Sequence, residues 1–273
     1  RDPEMSRGLG DVYKRQDYCI IEAGMGGRLD ATTALDYKAC LITNVGLDHT
    51  EYLGDTFEQI AYEKSGVFKP NVPALTTEDK PECQKVMELV ADYMKTPLCF
   101  IDCQETDVLR WNGMTFHLNP PLYQAKNLSL ALETLNVLGI WLEENEIQQV
   151  IDHFKWAGRY MVLRKDPLVL LDGAHNVHGI TALTQSLKDF TGKIYFSVLK
   201  EKDAPHMIEL LQSISKDITL VEISSARLYP LEKLGYPIIT VDELISRLLD
   251  TKEDSLLCGS LSVSYTHLTL PTI

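Results

Sequence analysis

Leu168-Val169-Leu170-Leu171-Asp172-Gly173-Ala174-His175-Asn176 is an unbroken aliphatic run that stops at a carboxylate, a glycine and an imidazole. Four consecutive aliphatic residues leave no polar face, so the run predicts a strand buried on both sides, the habit of parallel sheets. Downstream, helical periodicity over residues 179–190 leads to an apolar run at 194–198, a second helical stretch at 205–214 and another run at 218–221. A final strand, helix and strand are predicted at 237–241, 243–249 and 256–258. Pro205 sits behind Asp203, where a first helical turn tolerates proline. Strands alternating with helices imply a mostly parallel, Rossmann-like sheet covered on both faces.

Upstream, residues 18–22 and 39–43 are short apolar runs of strand length, the first stopping at Gly24. Asp55 with Glu58 resembles a capping box, and Ile60, Ala61 and Val67 give a helical stripe that carries Lys64. Helices are predicted over 82–94, 128–138 and 147–154, and Asn112-Gly113 between two apolar stretches signals a type I′ hairpin. The change of pattern at 155–160 divides the chain into residues 17–155 and 156–261. Residues 1–16 and 262–273 lack any packing pattern and read as non-native tails.

The balance of 26 Lys and Arg against 39 Asp and Glu gives a net charge of −13, which repels nucleic acid and anionic membranes. No apolar run approaches the ~20 residues that cross a bilayer, and the expected location is the cytoplasm. The six cysteines are scattered without zinc-site spacing and read as buried, reduced thiols.

Three clusters could carry chemistry. The first, Glu22-Ala23-Gly24-Met25-Gly26-Gly27-Arg28-Leu29-Asp30, places a carboxylate at a strand end before three glycines that allow a ligand close to the backbone. A tight turn alone explains it equally, and the spacing is not that of a dinucleotide fingerprint. The second, Thr43-Asn44-Val45-Gly46-Leu47-Asp48-His49, follows the second run, with Lys64 on the next helix. Glu22 and His49 are suitable ligands for one divalent ion, though an Asp-His pair also serves as a local cap and a helix lysine as a solvated side chain. The third is Asp172 to Asn176, where Asp172 could accept from a ribose hydroxyl and His175 could hold a phosphate or move a proton. A capped helix start using Asp172 or Asn176 is the plainer explanation.

In this order and at these separations, the clusters resemble the folylpolyglutamate synthase and dihydrofolate synthase family, a branch of the Mur-type amide ligases. Gly24 to Thr32 is similar to the folate branch, whereas Thr43-Asn44, Asp48-His49 and Glu63-Lys64 are similar to the wider superfamily. The resemblance implies an α/β, Mur-ligase-like fold: a P-loop-type central domain, incomplete here, followed by a Rossmann-like C-terminal domain. It implies that Glu22 and His49 bind Mg2+ beside ATP, and that Lys64 is carbamylated and holds a second ion. Asn127, Arg159 and Asp172 would contact ATP, and His175 would lie beside the reacting phosphate. The implied reaction joins L-glutamate to a folate or dihydropteroate carboxylate through an acyl phosphate. A monomer is the simpler expectation, and the net charge of −13 leaves no nucleic-acid or membrane partner expected. Lys202-Asp203 and Gly259-Ser260 are similar to further pairs of the family.

The sequence departs from that pattern in lacking a Gly-Lys-Gly-Ser phosphate loop; its one Gly-Lys, Gly192-Lys193, is followed by Ile194. Residues 197–201 and 223–229 also match loosely. The alternatives are a Mur-type ligase of cell-wall peptides and a non-catalytic nucleotide-binding scaffold. Because a phosphate loop cradles the phosphates with its backbone amides, the isolated chain is predicted to bind ATP weakly and to turn over negligibly. Isothermal titration with magnesium-ATP checks this, and micromolar binding would contradict it.

Overall fold

The computed structural model describes residues 17–119 and 121–260. A three-stranded parallel sheet, in the order β1-β2-β3, is formed by β1 (Cys40–Ile42), β2 (Ala74–Thr76) and β3 (Leu98–Phe100). Helices α1 (Thr50–Leu53) and α2 (Phe57–Ser65) lie between β1 and β2, and α3 (Pro81–Met94) between β2 and β3. Ile42, Ile60, Ala61, Phe68, Cys83 and Met87 form the buried core of this layer.

The hairpin β4 (Val108–Trp111) and β5 (Met114–His117) follows, with Trp111 opposite Met114. Asn112 and Gly113 take φ of 48° and 83°, the doubly positive geometry of a type I′ turn. Leu109 and Phe116 pack on Leu132 and Ile147 of α4 (Gln124–Val137) and α5 (Glu144–His153).

The rest of the chain builds a six-stranded sheet in the order β10-β9-β8-β11-β7-β6. Its strands are β6 (Met161–Lys165), β7 (Leu168–Asp172), β8 (Lys193–Ser197), β9 (Ile218–Glu222), β10 (Ile238–Thr240) and β11 (Ser255–Gly259). All neighbours are parallel except β6, which runs antiparallel to β7. Alternate residues divide between the faces, as strand geometry requires. Leu170, Ile194, Phe196 and Leu256 meet α6 (Val177–Ser186) and α7 (Ala204–Gln212), whereas Val169, Leu171, Tyr195 and Leu257 meet α8 (Val241–Asp250). The aliphatic run at 168–171 is continuous because its strand lies between two helical layers. Among the described residues, no helix is long and apolar enough to cross a membrane.

Several details correct the sequence reading. Residues 18–22 form no strand, and Ile20 is 96% exposed. A three-stranded sheet that ends at β1 gives this run neither a hydrogen-bonding neighbour nor an apolar face to cover. The capping box at α2 uses Thr56 and Gln59, one residue beyond the predicted pair. Helix α6 ends at Ser186 instead of continuing to 190. Cys40, Cys83 and Cys258 are buried as expected, but Cys19 and Cys99 are exposed. The tails at 1–16 and 262–273 lie outside the described residues.

Candidate functional site

The glycine-rich loop is shaped by Asp30. Its carboxylate accepts from the backbone amides of Gly24 at 2.8 Å and Met25 at 3.1 Å, and from the Thr32 amide at 2.9 Å and hydroxyl at 2.6 Å. The Thr32 hydroxyl and amide, then the Met25 amide, hold this carboxyl down at about 2. The loop then lies against the last turn of α2. Arg28 donates its amide to the Glu63 carbonyl at 2.8 Å, and its guanidinium meets the Glu63 carboxylate at 2.8 and 2.9 Å. A side chain at Gly27 would stand 2.7 Å from the Lys64 carbonyl, and one at Gly66 would stand 2.2 Å from Arg28 Cα. Glycine at both positions therefore lets the loop approach the helix backbone to backbone.

That contact brings Glu22 into the surroundings of Lys64. Burial pushes the Lys64 ammonium down from its ordinary range, against the opposing pull of Asp48 and Glu22. His49 stands just before α1 in the left-handed region, with φ of 52°. Neither the Glu22 carboxylate nor the His49 ring hydrogen-bonds to another described residue. Among the described residues, no three His, Cys, Asp or Glu side chains gather as a complete metal cage.

In the second half, Asp172 ends β7, is 4% exposed, and accepts from the amides of Tyr160 at 2.7 Å and Ala174 at 2.8 Å. Burial raises its pKa, opposed by those two amides and by Arg159 and His175. The Gly173 amide also donates to the Gly158 carbonyl at 2.7 Å. Arg159 is thus held beside the strand end, between the Gly173–Gly158 backbone hydrogen bond and the bond from the Tyr160 amide to the Asp172 carboxylate. His175 Nδ1 contacts the Gly173 carbonyl at 2.8 Å. Tyr123, just before α4, senses Asp172 and Arg159 electrostatically and belongs to the same group. Asn127 is exposed and donates to Gln124 at 3.0 Å. Its position four residues after Tyr123 puts it on the same side of the helix.

The two groups meet through Asp48. Its carboxylate accepts from Asn176 at 2.8 Å and from Lys202. Although desolvation pulls the Asp48 carboxyl up, the Lys202 and Asn176 hydrogen bonds bring it to about 2. Asn176 simultaneously caps α6, accepting from the Gly179 amide at 2.8 Å, so the capping explanation and the site explanation both apply to it. A second tie runs from Asn44 to His178 Nε2 at 2.9 Å. Sequence reasoning named Asn176 only as a cap and did not single out Tyr123, His178 or the bridging role of Asp48. Only Asp48 and Asn176 lay inside the noted clusters.

Residues 4–118 match the Mur ligase middle domain. Over 211 residues the chain is 33% identical to a dihydrofolate synthase/folylpolyglutamate synthase of Buchnera aphidicola, covering 72% of this chain and 50% of that protein. It superposes on E. coli FolC in complex with ADP with a TM-score of 0.77 at 28% identity, over 89% of this chain and 64% of that one. A bifunctional folylpolyglutamate synthase/dihydrofolate synthase with Mn, AMPPNP and L-glutamate bound gives a TM-score of 0.76 at 26% identity, over 89% and 64%. The chain is a homologue of the folylpolyglutamate and dihydrofolate synthases. Its α/β fold is that of these Mur-type ligases, and it spans about half the length of the curated relatives it matches.

The Mur-type loop around Gly27 predicts a clear stability effect. Gly27→Ala forces a methyl group against the Lys64 carbonyl and the Val67 side chain. Overpacking of this kind costs about 1–3 kcal/mol. Thermal denaturation followed by circular dichroism should show a lower midpoint than wild type; an unchanged midpoint would mean that the loop does not depend on this approach.

Proposed function

We propose that the chain is the nucleotide- and amine-handling part of an ATP-dependent ligase that adds L-glutamate to the carboxylate of a folate or dihydropteroate. The observation that carries this reading is the junction at Asp48, which puts the His49 loop beside the His175 loop at the ends of β1 and β7. Ligands of open α/β sheets bind at such strand ends. Relatives carrying ADP, or AMPPNP with Mn and L-glutamate, support the same substrates for this chain. The division at residues 155–160 belongs to the proposal, with the two units facing each other across the site.

The donor set suits magnesium. Among the described residues, Glu22 and His49 make no side-chain hydrogen bond, and an incomplete protein cage fits an ion that retains water and phosphate ligands. Once bound, the ion would neutralise charge on the ATP phosphates. Burial of Lys64 favours its neutral amine, the form able to take up carbon dioxide as a carbamate for a second ion. Arg159, which makes no carboxylate ion pair among the described residues, would stabilise the transferred phosphoryl group. Asp172 has lone pairs left after its two amide contacts, enough to accept from a ribose hydroxyl. Asn127 would contact the nucleotide from α4, and His175 would lie beside the phosphate. Domain closure would then bring the glutamate amine to the acyl phosphate.

A monomer acting in the cytoplasm completes the reading, and the net charge of −13 argues against nucleic acid or an anionic membrane as partner. The test is an assay of the protein encoded by the complete gene with ATP, magnesium, L-glutamate and dihydropteroate or a reduced folate. The expected outcome is a pterin product heavier by one glutamyl unit, with release of ADP and phosphate. Mass gained only by a nucleotide-linked peptide acid would move the protein to the cell-wall ligases, and no product from either acid would leave a scaffold. Lys64→Ala should lower turnover by about 100-fold or more, with partial rescue by a short carboxylic acid. Wild-type turnover in that variant would remove Lys64 from the site.

A further inference from the structure

Asp48 has a geometry that local capping does not account for. One carboxylate oxygen accepts from its neighbour's amide, His49 N, at 2.8 Å and from Lys202 Nζ. The other accepts from Asn176 Nδ2 at 2.8 Å. Lys202 follows β8 and Asn176 precedes α6, so both distant donors come from the six-stranded half of the chain. They are separated from Asp48 by 154 and 128 positions. The side chains of Asp48 and Lys202 are only 24% and 13% exposed, so water competes weakly for the pair. Beside it, Asn44 meets His178 at 2.9 Å, and a Cβ at Gly46 would stand 3.4 Å from the His178 side chain. The loop after β1 is therefore seated on the start of α6 and on the Lys202 turn.

We infer that Asp48 is a positioning residue: its hydrogen bonds to Asn176 and Lys202 latch the two halves in the closed arrangement that sets His49 and Lys64 opposite His175 and Arg159. This rests on the proposed ligase reading for its catalytic consequence, but not for the latch itself. Asp48 orients its neighbours by holding them in register across the junction. The Lys202 cation neutralises it, and the Asn176 amide fixes the direction of the carboxylate plane. Because Asn176 also caps α6, any shift of the loop would have to break the tie or disturb the cap.

The test measures distance and turnover separately. Spin labels at Lys85 on α3 and Lys188 beyond α6, both exposed positions, report the separation of the halves by pulsed electron resonance. The labelled protein carries serine at the exposed Cys19 and Cys99. The unaltered junction should give one narrow distribution. Asp48→Asn and, independently, Lys202→Met should each broaden it and shift it outward, and the double variant should be no worse than either single one. Lys202→Met keeps the experiment decisive if Asp48→Asn folds poorly. With the complete-gene protein, both variants should lower kcat by about 100-fold, the scale on which misplacement of reacting groups acts, while the KM for ATP changes little. Narrow, unshifted distributions in both variants would overturn the latch whatever the activity. A lost kcat with unshifted distances would make Asp48 a participant in the chemistry and would equally overturn it. If even the wild type ligates nothing, the ligase reading fails while the distances still decide the latch.

Discussion

The site depends on one carboxylate finding its partners across most of the chain. Asp48 belongs to the loop after β1, yet two of its hydrogen-bond donors lie 128 and 154 positions away. A half-buried carboxylate without them would meet the desolvation cost alone, which disfavours burial of an isolated charge. With them, the junction is a charge-assisted network in which each oxygen is used. The adjacent positions, His49 beside Asp48 and His175 beside Asn176, inherit their placement from it.

A second constraint operates on backbone alone. The glycine loop reaches α2 so closely that Gly27 and Gly66 leave no room for a Cβ. Asp30 supplies the complementary order by gathering backbone amides from Gly24 and Met25 and the amide and hydroxyl of Thr32. Glycine permits the approach and the aspartate fixes the path, which is why permissive residues here produce a defined loop. Lys64 sits where both effects meet, at the end of the helix against which the loop is laid.

Legibility in the sequence followed the range of the interactions. The hairpin at Asn112-Gly113 was readable because its turn geometry depends on those two residues. The alternation from 168 to 258 was readable because the inner strands β7, β8, β9 and β11 are buried on both faces and the helices between them on one. By contrast, β2 and β3 have three residues each and directly follow Pro73 and Pro97, leaving too little pattern to register. β6 was missed because Met161–Lys165 is an edge strand carrying two charges. The run at 18–22 misled because apolar composition states a preference for burial without supplying the neighbour that provides it. Among the proposed site residues, His49, Asp172 and His175 were marked by residue type after apolar runs, Glu22 by a run that is not a strand, and Lys64 by its place on a helix. The bridge from Asp48 to Lys202 gave no local signal, since nothing near either residue requires the other. Tyr123 likewise precedes a helix without any periodic or capping mark.

The cations around the junction divide into two kinds, and the division bears on what the site can hold. Lys202 is neutralised by Asp48, Lys80 by Glu78, and Lys126 by Asp79. These pairs fix the architecture and have little net charge left to offer a ligand. Lys64 and Arg159 have no carboxylate hydrogen bond among the described residues, although Glu22 and Asp48 act on the first and Asp172 on the second at longer range. In a chain of net charge −13, a polyanionic ligand is repelled at a distance and held only by local groups. The described ion pairs therefore commit Lys202, Lys80 and Lys126 to structure, while Lys64 and Arg159 are the two nearby cations without such a pair, which is the property the proposed phosphate site needs.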